Sequence, residues 1–65
     1  MIGMFWLYCG SGINRVWTYD ARLEPAEGWF DYETQAMAER RLHELVHISI
    51  ANGWKVGYAG ERNFG

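Results

Sequence analysis

A continuous apolar run at the start of the chain constrains its fold more than any other feature. Residues 1–9 read MIGMFWLYC, and the tripeptide Gly10-Ser11-Gly12 ends the run. A glycine-rich break of this kind is a strong turn signal, and residues 14–19 beyond it are rich in β-branched and aromatic side chains. Two such runs joined by a short glycine-containing loop predict an antiparallel hairpin. We therefore expect a buried first strand over residues 4–9 and a second strand over residues 14–19.

The same apolar run differs from a targeting or membrane-spanning segment. It lacks the basic region and the small-residue cleavage site of a signal peptide, and it is about half the length that spans a bilayer. Cys9 is the single cysteine of the chain, so no internal disulfide can form. Its position inside the run predicts a small core residue rather than a reactive thiol. These features predict a reducing, cytoplasmic setting.

The chain is 65 residues long, which predicts a single domain over residues 1–65 with one thin core. A chain of this size buries only about 60% of the surface that its unfolded form exposes. Four Trp, four Tyr and three Phe offset this limited burial, because each buried ring removes about 150–250 Å² of surface from water. A hydrophobic content of 49% excludes intrinsic disorder. So short a chain seldom encloses a catalytic pocket, and we expect no enzyme.

Two interpretations compete for the segment after Tyr32. The first ends a helix near Leu45, makes residues 46–50 a strand and turns at Asn52-Gly53, a dipeptide typical of hairpins. The second continues the helix to Ala51, with Asn52 and Gly53 as its C-terminal stop. We favour the long helix, although the sequence leaves residues 46–51 open between helix and strand.

The helical projection of this segment separates two faces. At about 100° per residue, the face expected to pack on the sheet holds Thr34, Ala38, Leu42, Leu45, Val46 and Ser49. We expect Asp31 as the N-cap, a short third strand at Trp29-Phe30 and a return strand over residues 54–58. The predicted fold class is α+β: an antiparallel sheet of three to four strands with one helix packed on one face, in ββ(β)αβ order.

One pentapeptide on this helix carries a chemical motif. Residues 43–47 read HELVH, which resembles the zinc-binding sequence of the zincin metalloproteases. The resemblance implies that His43 and His47 share a zinc ion and that Glu44 acts as a general base. The extended pattern requires Gly and His where this chain has Ile50 and Gly53. Both imidazoles project to the polar face of the helix. We therefore expect no catalytic residue, metal ligand or cofactor. A zinc-binding or hydrolase-like protein that uses His43, Glu44 and His47 is the alternative.

Acidic side chains are concentrated before the helix. The chain has a net charge of −2, and residues 20–33 hold five carboxylates against the single basic residue Arg22. Such a segment predicts a recognition edge for a basic partner surface, where electrostatic complementarity steers encounter. The residues expected to contact that partner are the carboxylates Asp20, Glu24, Glu27, Asp31 and Glu33, with Trp29 or Tyr32 as an aromatic anchor.

The surplus of aromatic rings allows other partners. One helix cannot cover both faces of a sheet, so some rings should stay exposed and serve protein–protein contact or a homodimer. Exposed rings can also stack bases, and Arg40-Arg41 is a basic pair. Nucleic-acid binders combine such rings with a basic groove, and the net acidity of the chain disfavours direct nucleic-acid binding.

In its overall layout, including the closing residues 52–58 (NGWKVGY), the chain resembles small phage-encoded anti-CRISPR inhibitors of host defence. The resemblance implies a short single-domain α+β protein that acts in the host cytoplasm and occupies a nucleic-acid-binding surface of a host complex. It transfers no functional residue. The leading hypothesis is therefore a non-enzymatic interaction module that occludes a basic surface.

Overall fold

The structure of the chain is a computed structural model that describes residues 2–20, 22–23 and 27–62, the side chain of Glu27 excepted. Five elements follow in the order β1 (Ile2–Gly10), β2 (Ile13–Tyr19), β3 (Glu27–Asp31), α1 (Gln35–Ala51) and β4 (Lys55–Glu61). The predicted α+β class is confirmed, as is the short third strand around Trp29. No helix in the described part of the chain is long and apolar enough to span a bilayer.

The predicted hairpin is confirmed, and its turn contains two residues. β1 and β2 pair antiparallel as far as Gly10 opposite Ile13, so Ser11 and Gly12 form the turn. Both have positive φ, 52° at Ser11 and 78° at Gly12, as type I′ hairpin turns require. The length of the turn fixes the pairing register of the two strands.

The prediction of a purely antiparallel sheet is wrong. The strands lie in the order β3-β2-β1-β4, which differs from their order along the chain, and β4 pairs parallel with β1. The helical crossover is the reason. The 17 residues of α1 span about 25 Å at about 1.5 Å per residue, which returns the chain to the end of the sheet where β1 begins. Lys55 therefore pairs with Ile2, and β4 runs in the same direction as β1.

The long-helix interpretation is confirmed, and the alternative strand over residues 46–50 is wrong. α1 ends at Ala51, and the backbone N–H of Asn52 donates to the carbonyl of Ile48 at 3.0 Å. Gly53 follows with a φ of 86°, the left-handed conformation that glycine supplies after a helix. The Asn52-Gly53 pair therefore stops a helix instead of turning a hairpin.

The predicted N-cap, Asp31, is wrong because the helix begins later. Thr34 is the N-cap, and its Oγ1 accepts a hydrogen bond from the backbone N–H of Met37 at 3.2 Å. Asp31 is instead the last residue of β3, opposite Arg15 on β2. Asp and Thr both serve well as N-caps, so residue type did not decide between them. The pairing of β3 with β2 decided it, because that pairing extends the strand to Asp31 and delays the start of the helix.

The core lies between α1 and one face of the sheet. The helix buries Ala38, Leu42, Leu45 and Ser49, as the projection predicted, whereas Thr34 is exposed as the cap. The main cluster of buried apolar side chains comprises Phe5, Leu7, Val16, Leu23, Ala38, Leu42 and Leu45. The helix packs on β1, β2 and β4 from this side alone. No described element covers the other face of the sheet.

Candidate interaction surface

The sheet face that points away from α1 is the candidate site, and we call it the open face. Phe5 and Leu7 are buried beneath the helix, so the residues that alternate with them along β1 point the other way. Residues directly opposite each other on paired strands share a face. The pairing of β1 with β2 and β4, and of β2 with β3, therefore assigns residues of the other strands to this face. The open face comprises Met4, Trp6, Tyr8, Arg15, Trp17, Tyr19, Trp29, Asp31 and Tyr58, with Arg62 beside them.

Three tryptophans form a row across the open face. Trp6 lies opposite Trp17, and Trp17 lies opposite Trp29. Gly60 on β4 takes the fourth position of the row, opposite Trp6. Directly opposed residues have Cβ atoms about 4.5–5.5 Å apart, so neighbouring indoles are within reach of each other. Trp29 is 51% exposed, which leaves a large aromatic surface at the β3 end of the row.

A groove of about 610 Å³ follows this row. Its lining residues are Met4, Trp6, Trp17, Thr18, Tyr19, Gly28, Trp29 and Arg62. Trp, Tyr, Met and Arg, the side chains enriched at protein interfaces, account for six of these eight residues. The groove therefore presents aromatic and sulfur-containing surface bordered by one basic side chain.

Arginine side chains lie over the rings of the row. The Arg15 guanidinium carbon is 4.0 Å from the ring centroid of Trp29 and 5.7 Å from that of Trp17. The Arg62 guanidinium carbon is 5.4 Å from the centroid of Trp6. All three distances fall within the range of cation–π attraction. These contacts hold the indoles in defined orientations, which reduces the entropy that a partner must remove on binding.

Asp31 orients Arg15 on the open face. Nε and Nη2 of Arg15 donate to Oδ1 and Oδ2 of Asp31 at 2.7 and 3.0 Å. This two-point geometry fixes the plane of the guanidinium as well as its position. Hydrogen bonding by Arg15 lowers the pKa of Asp31, and hydrogen bonding by Asp31 raises the pKa of Arg15. Both groups therefore stay charged at neutral pH, and their charges offset each other.

We expect Asp31 to titrate below its ordinary pKa of 3.8. A lowered folded-state pKa means that the pair contributes its full stability above the ordinary value and loses it as pH falls through the lowered value. NMR titration of the Asp31 carboxyl carbon measures the midpoint. In the Arg15→Gln variant the midpoint should rise towards 3.8. A wild-type midpoint at or above 3.8 would show that the ion pair does not form.

The structure places Asp20, one of the predicted contact residues, in the interior. Its side chain is fully buried, accepts a hydrogen bond from the Ser49 hydroxyl and accepts another from the backbone N–H of Arg22 at 2.9 Å. A buried carboxyl group with these partners ties the end of β2 to the C-terminal half of α1. Asp20 therefore has a structural role and is not accessible to a partner in this conformation.

The other predicted contact residues are not gathered at one place. Trp29 and Asp31 lie on the open face, where they share Arg15. Tyr32 is half-buried against the core, and Glu33 is exposed just before the helix. The backbone of Glu27 starts β3 opposite Tyr19, but its side chain lies outside the described part of the structure. Glu24 lies outside the described residues altogether.

The HELVH pentapeptide occupies the exposed side of α1. His43 and His47 are both exposed, and Glu44 accepts a hydrogen bond from Arg41 at 3.2 Å. Within residues 2–20, 22–23 and 27–62, no group of three or more His, Cys, Asp or Glu side chains is positioned to hold a metal ion. Zinc binding at this motif stays the alternative hypothesis. Metal analysis of purified protein, repeated after replacing His43 by alanine, tests it.

Cys9 packs against the core cluster, as its place in the apolar run predicted. Burial raises the pKa of the Cys9 thiol, and the nearby carboxylates of Glu39 and Glu61 raise it further. The thiolate is the reactive form of cysteine, so a raised pKa reduces reactivity at neutral pH. Cys9 accordingly behaves here as a small apolar side chain.

Sequence reasoning missed Trp6, Trp17 and the two arginines as site residues. A usable signal was present for the first two, because a two-residue turn at Ser11-Gly12 fixes the pairing of β1 with β2 and sets Trp6 opposite Trp17. No comparable signal placed Arg62, since a long connection joins β4 to the hairpin. Trp29 was predicted as an anchor, but its place opposite Trp17 depends on how β3 pairs with β2.

Comparison of the chain with protein-family models, with curated proteins and with solved structures found no match. The geometry of the open face therefore carries the functional argument.

Proposed function

We propose that this chain is a non-catalytic protein-interaction module and that the open face is its contact surface. The row of Trp6, Trp17 and Trp29, with arginines over its rings, is the observation that carries the proposal. Trp, Tyr and Arg dominate the residues that supply most of the energy at protein interfaces. The open face concentrates these three residue types on a rigid sheet.

Electrostatics favours a protein over a nucleic acid as the partner. Single-strand binders combine stacking rings with a basic groove that follows the phosphates. On the open face the charge of Arg15 is offset by Asp31, and its guanidinium already covers one side of the Trp29 ring. The basic pair Arg40-Arg41 lies on α1, on the other side of the sheet. Arg15 and Arg62 lie with the rings, whereas the basic pair Arg40-Arg41 does not, so the rings and the basic side chains do not form one continuous groove for a phosphate backbone.

The acidic segment supports a contact less well than the open face does. Asp20 is buried, and Asp31 is exposed but paired with Arg15. Among the side chains described, Glu33 is the remaining carboxylate of that segment, and it is exposed. Trp29 belongs to both the predicted set and the open face. An inhibitor that occludes a basic surface, as the anti-CRISPR resemblance implies, stays a prediction.

Comparative affinity capture tests the proposed function. The full chain is used as bait in a lysate of its native host, beside a Tyr19→Ala/Trp29→Ala variant and a Met37→Ala/Ile48→Ala variant. The second pair is a matched control, because all four side chains are between 41% and 51% exposed and Met37 and Ile48 lie on α1. We expect the open-face variant to bind any captured protein at least about tenfold more weakly, and the control to bind like the wild type.

Two results would overturn the proposed function. One is a captured protein that binds the open-face variant and the wild type equally well. The other is salt-sensitive retention of the wild-type chain on single-stranded nucleic acid that the open-face variant loses, which would assign the rings to base stacking. Circular dichroism of each variant establishes that loss of binding is not loss of fold.

A further inference from the structure

We infer that the partner of the open face is a second copy of this chain, bound face to face by a two-fold axis. This inference rests on the proposed function, since it names the partner of the same surface. The resulting dimer has four layers, with the two sheets in the middle and a helix on each outer side. Facing sheets pack about 10 Å apart with strand directions within about 30° of each other.

The thinness of the molecule favours a partner that covers the whole sheet. α1 shields one face only, so Trp29, Tyr19 and Tyr58 remain 51%, 43% and 40% exposed on the other. Contiguous apolar surface on a small soluble domain marks an interaction site. Self-association is one of the ways in which chains of this length gain the stability that their core does not supply. A second sheet supplies the missing layer over the rings.

The row of tryptophans is complementary to itself under the two-fold axis. An axis parallel to the strands, midway between the sheets, places β3 of each copy over β4 of the other and β2 over β1. The row Trp29-Trp17-Trp6-Gly60 of one copy then faces the same row of the other copy in the opposite order. Trp17 faces Trp6, and the protruding Trp29 faces Gly60, which has no side chain of its own. The ring beside Gly60 is that of Tyr58, whose Oη lies 3.3 Å from the ideal Cβ position of Gly60, so Trp29 meets an aromatic neighbour.

Charges on the two outer strands are also complementary under this axis. β3 and β4 both run parallel to β1, and Trp29 and Gly60 occupy one row. Asp31 and Arg62, each two residues further on, therefore occupy the next row at opposite edges of the face. The rotation brings Asp31 of each copy over Arg62 of the other, and the symmetry makes this pair twice. Asp31 also accepts two hydrogen bonds from Arg15 of its own chain, so each Asp31 lies between two arginines in the dimer. The added attraction at these two corners favours this register.

Charge reversal combined with mixing tests this arrangement. The Asp31→Arg variant opposes two arginines in its own dimer, and the Arg62→Asp variant opposes two aspartates. A one-to-one mixture of the two variants instead forms a heterodimer in which both corner pairs are attractive. We expect each variant alone to dissociate at least about tenfold more readily than the wild type, and the mixture to associate more tightly than either variant alone. Recovery is incomplete because Asp31→Arg also removes the partner of Arg15 in its own chain.

Sedimentation equilibrium from about 1 μM to about 1 mM measures the association. The wild-type chain should reach twice the monomer mass of 7.6 kDa, and its melting temperature should rise with concentration. The open-face variant Tyr19→Ala/Trp29→Ala should dissociate more readily than the wild type, whereas the control variant Met37→Ala/Ile48→Ala should not. This second pair of variants keeps the test decisive if the Asp31→Arg chain fails to fold.

A wild-type chain that stays monomeric throughout the series would overturn the dimer. So would a dimer that neither the charge reversals nor the Tyr19→Ala/Trp29→Ala variant weakens, because it would form through another surface. Neither result would by itself overturn the proposed function, which the affinity capture tests. Capture of a different protein that needs Trp29 and Tyr19 would leave the open face as the contact surface and would reject only the identity of its partner.

Discussion

Replacing Phe5 by alanine is expected to lower the free energy of unfolding by about 4 kcal/mol. Phe5 is fully buried in the middle of β1, and β1 is a central strand that pairs with both β2 and β4. Domains have total stabilities of about 0.05–0.15 kcal/mol per residue. A loss of this size would leave the variant substantially unfolded at 25 °C, which urea denaturation followed by circular dichroism measures.

Phe30 provides the matched control for this substitution. It is the same residue type on the same sheet, but 54% of its surface is exposed. We expect Phe30→Ala to cost less than about 1 kcal/mol, because exposed substitutions seldom have large effects. Equal destabilisation by the two substitutions would show that the core does not lie between α1 and β1.

Replacing Asp20 by alanine is expected to lower the free energy of unfolding by about 3 kcal/mol. The substitution leaves the buried Ser49 hydroxyl without its acceptor, and a buried donor left unpaired costs about 1–3 kcal/mol. It also removes the acceptor of the part-buried Arg22 backbone N–H. Thermal and urea denaturation measure the loss. Glu33→Ala is the control, since Glu33 is an exposed carboxylate of the same acidic segment and its removal should change stability by less than about 0.5 kcal/mol.

The same pair of variants separates two roles for Asp20. If Asp20→Ala unfolded like the wild type but lost binding to a captured partner, Asp20 would be a contact residue, as the charge pattern of the sequence predicted. We expect the reverse order of effects. Stability should fall in Asp20→Ala, and partner binding should be unchanged under conditions in which the variant is folded.

Local signals in the sequence predicted the hairpin and the helix. The break at Gly10-Ser11-Gly12 located the first turn, and the helical periodicity up to Ala51 outweighed the hairpin signal of Asn52-Gly53. Both features depend on residues close together in the chain, where turn geometry and the helical repeat act directly. The direction of β4 depends on where a crossover helix returns the chain, which no local pattern encodes.

Asp20 illustrates why the site was harder to predict than the fold. An acidic residue beside charged neighbours is usually solvated, and the sequence gives no sign that Ser49, 29 positions away, supplies a buried partner. Asp31 is similar, because its pairing with Arg15 depends on the register of β3 with β2. Charge counts along the chain therefore overstated the acidic surface. The open face became visible only once three strands were aligned side by side.

Isotope-filtered nuclear Overhauser spectroscopy on a mixture of labelled and unlabelled chain tests the open-face contact most directly. The experiment detects only protons of different copies that lie close together. We predict contacts between the Trp17 indole of one copy and the Trp6 indole of the other, and between Trp29 and Tyr58. Contacts that instead involve Met37 or Ile48 on α1, or no contacts between copies at about 1 mM, would contradict the assignment of the open face as a surface that binds a second copy.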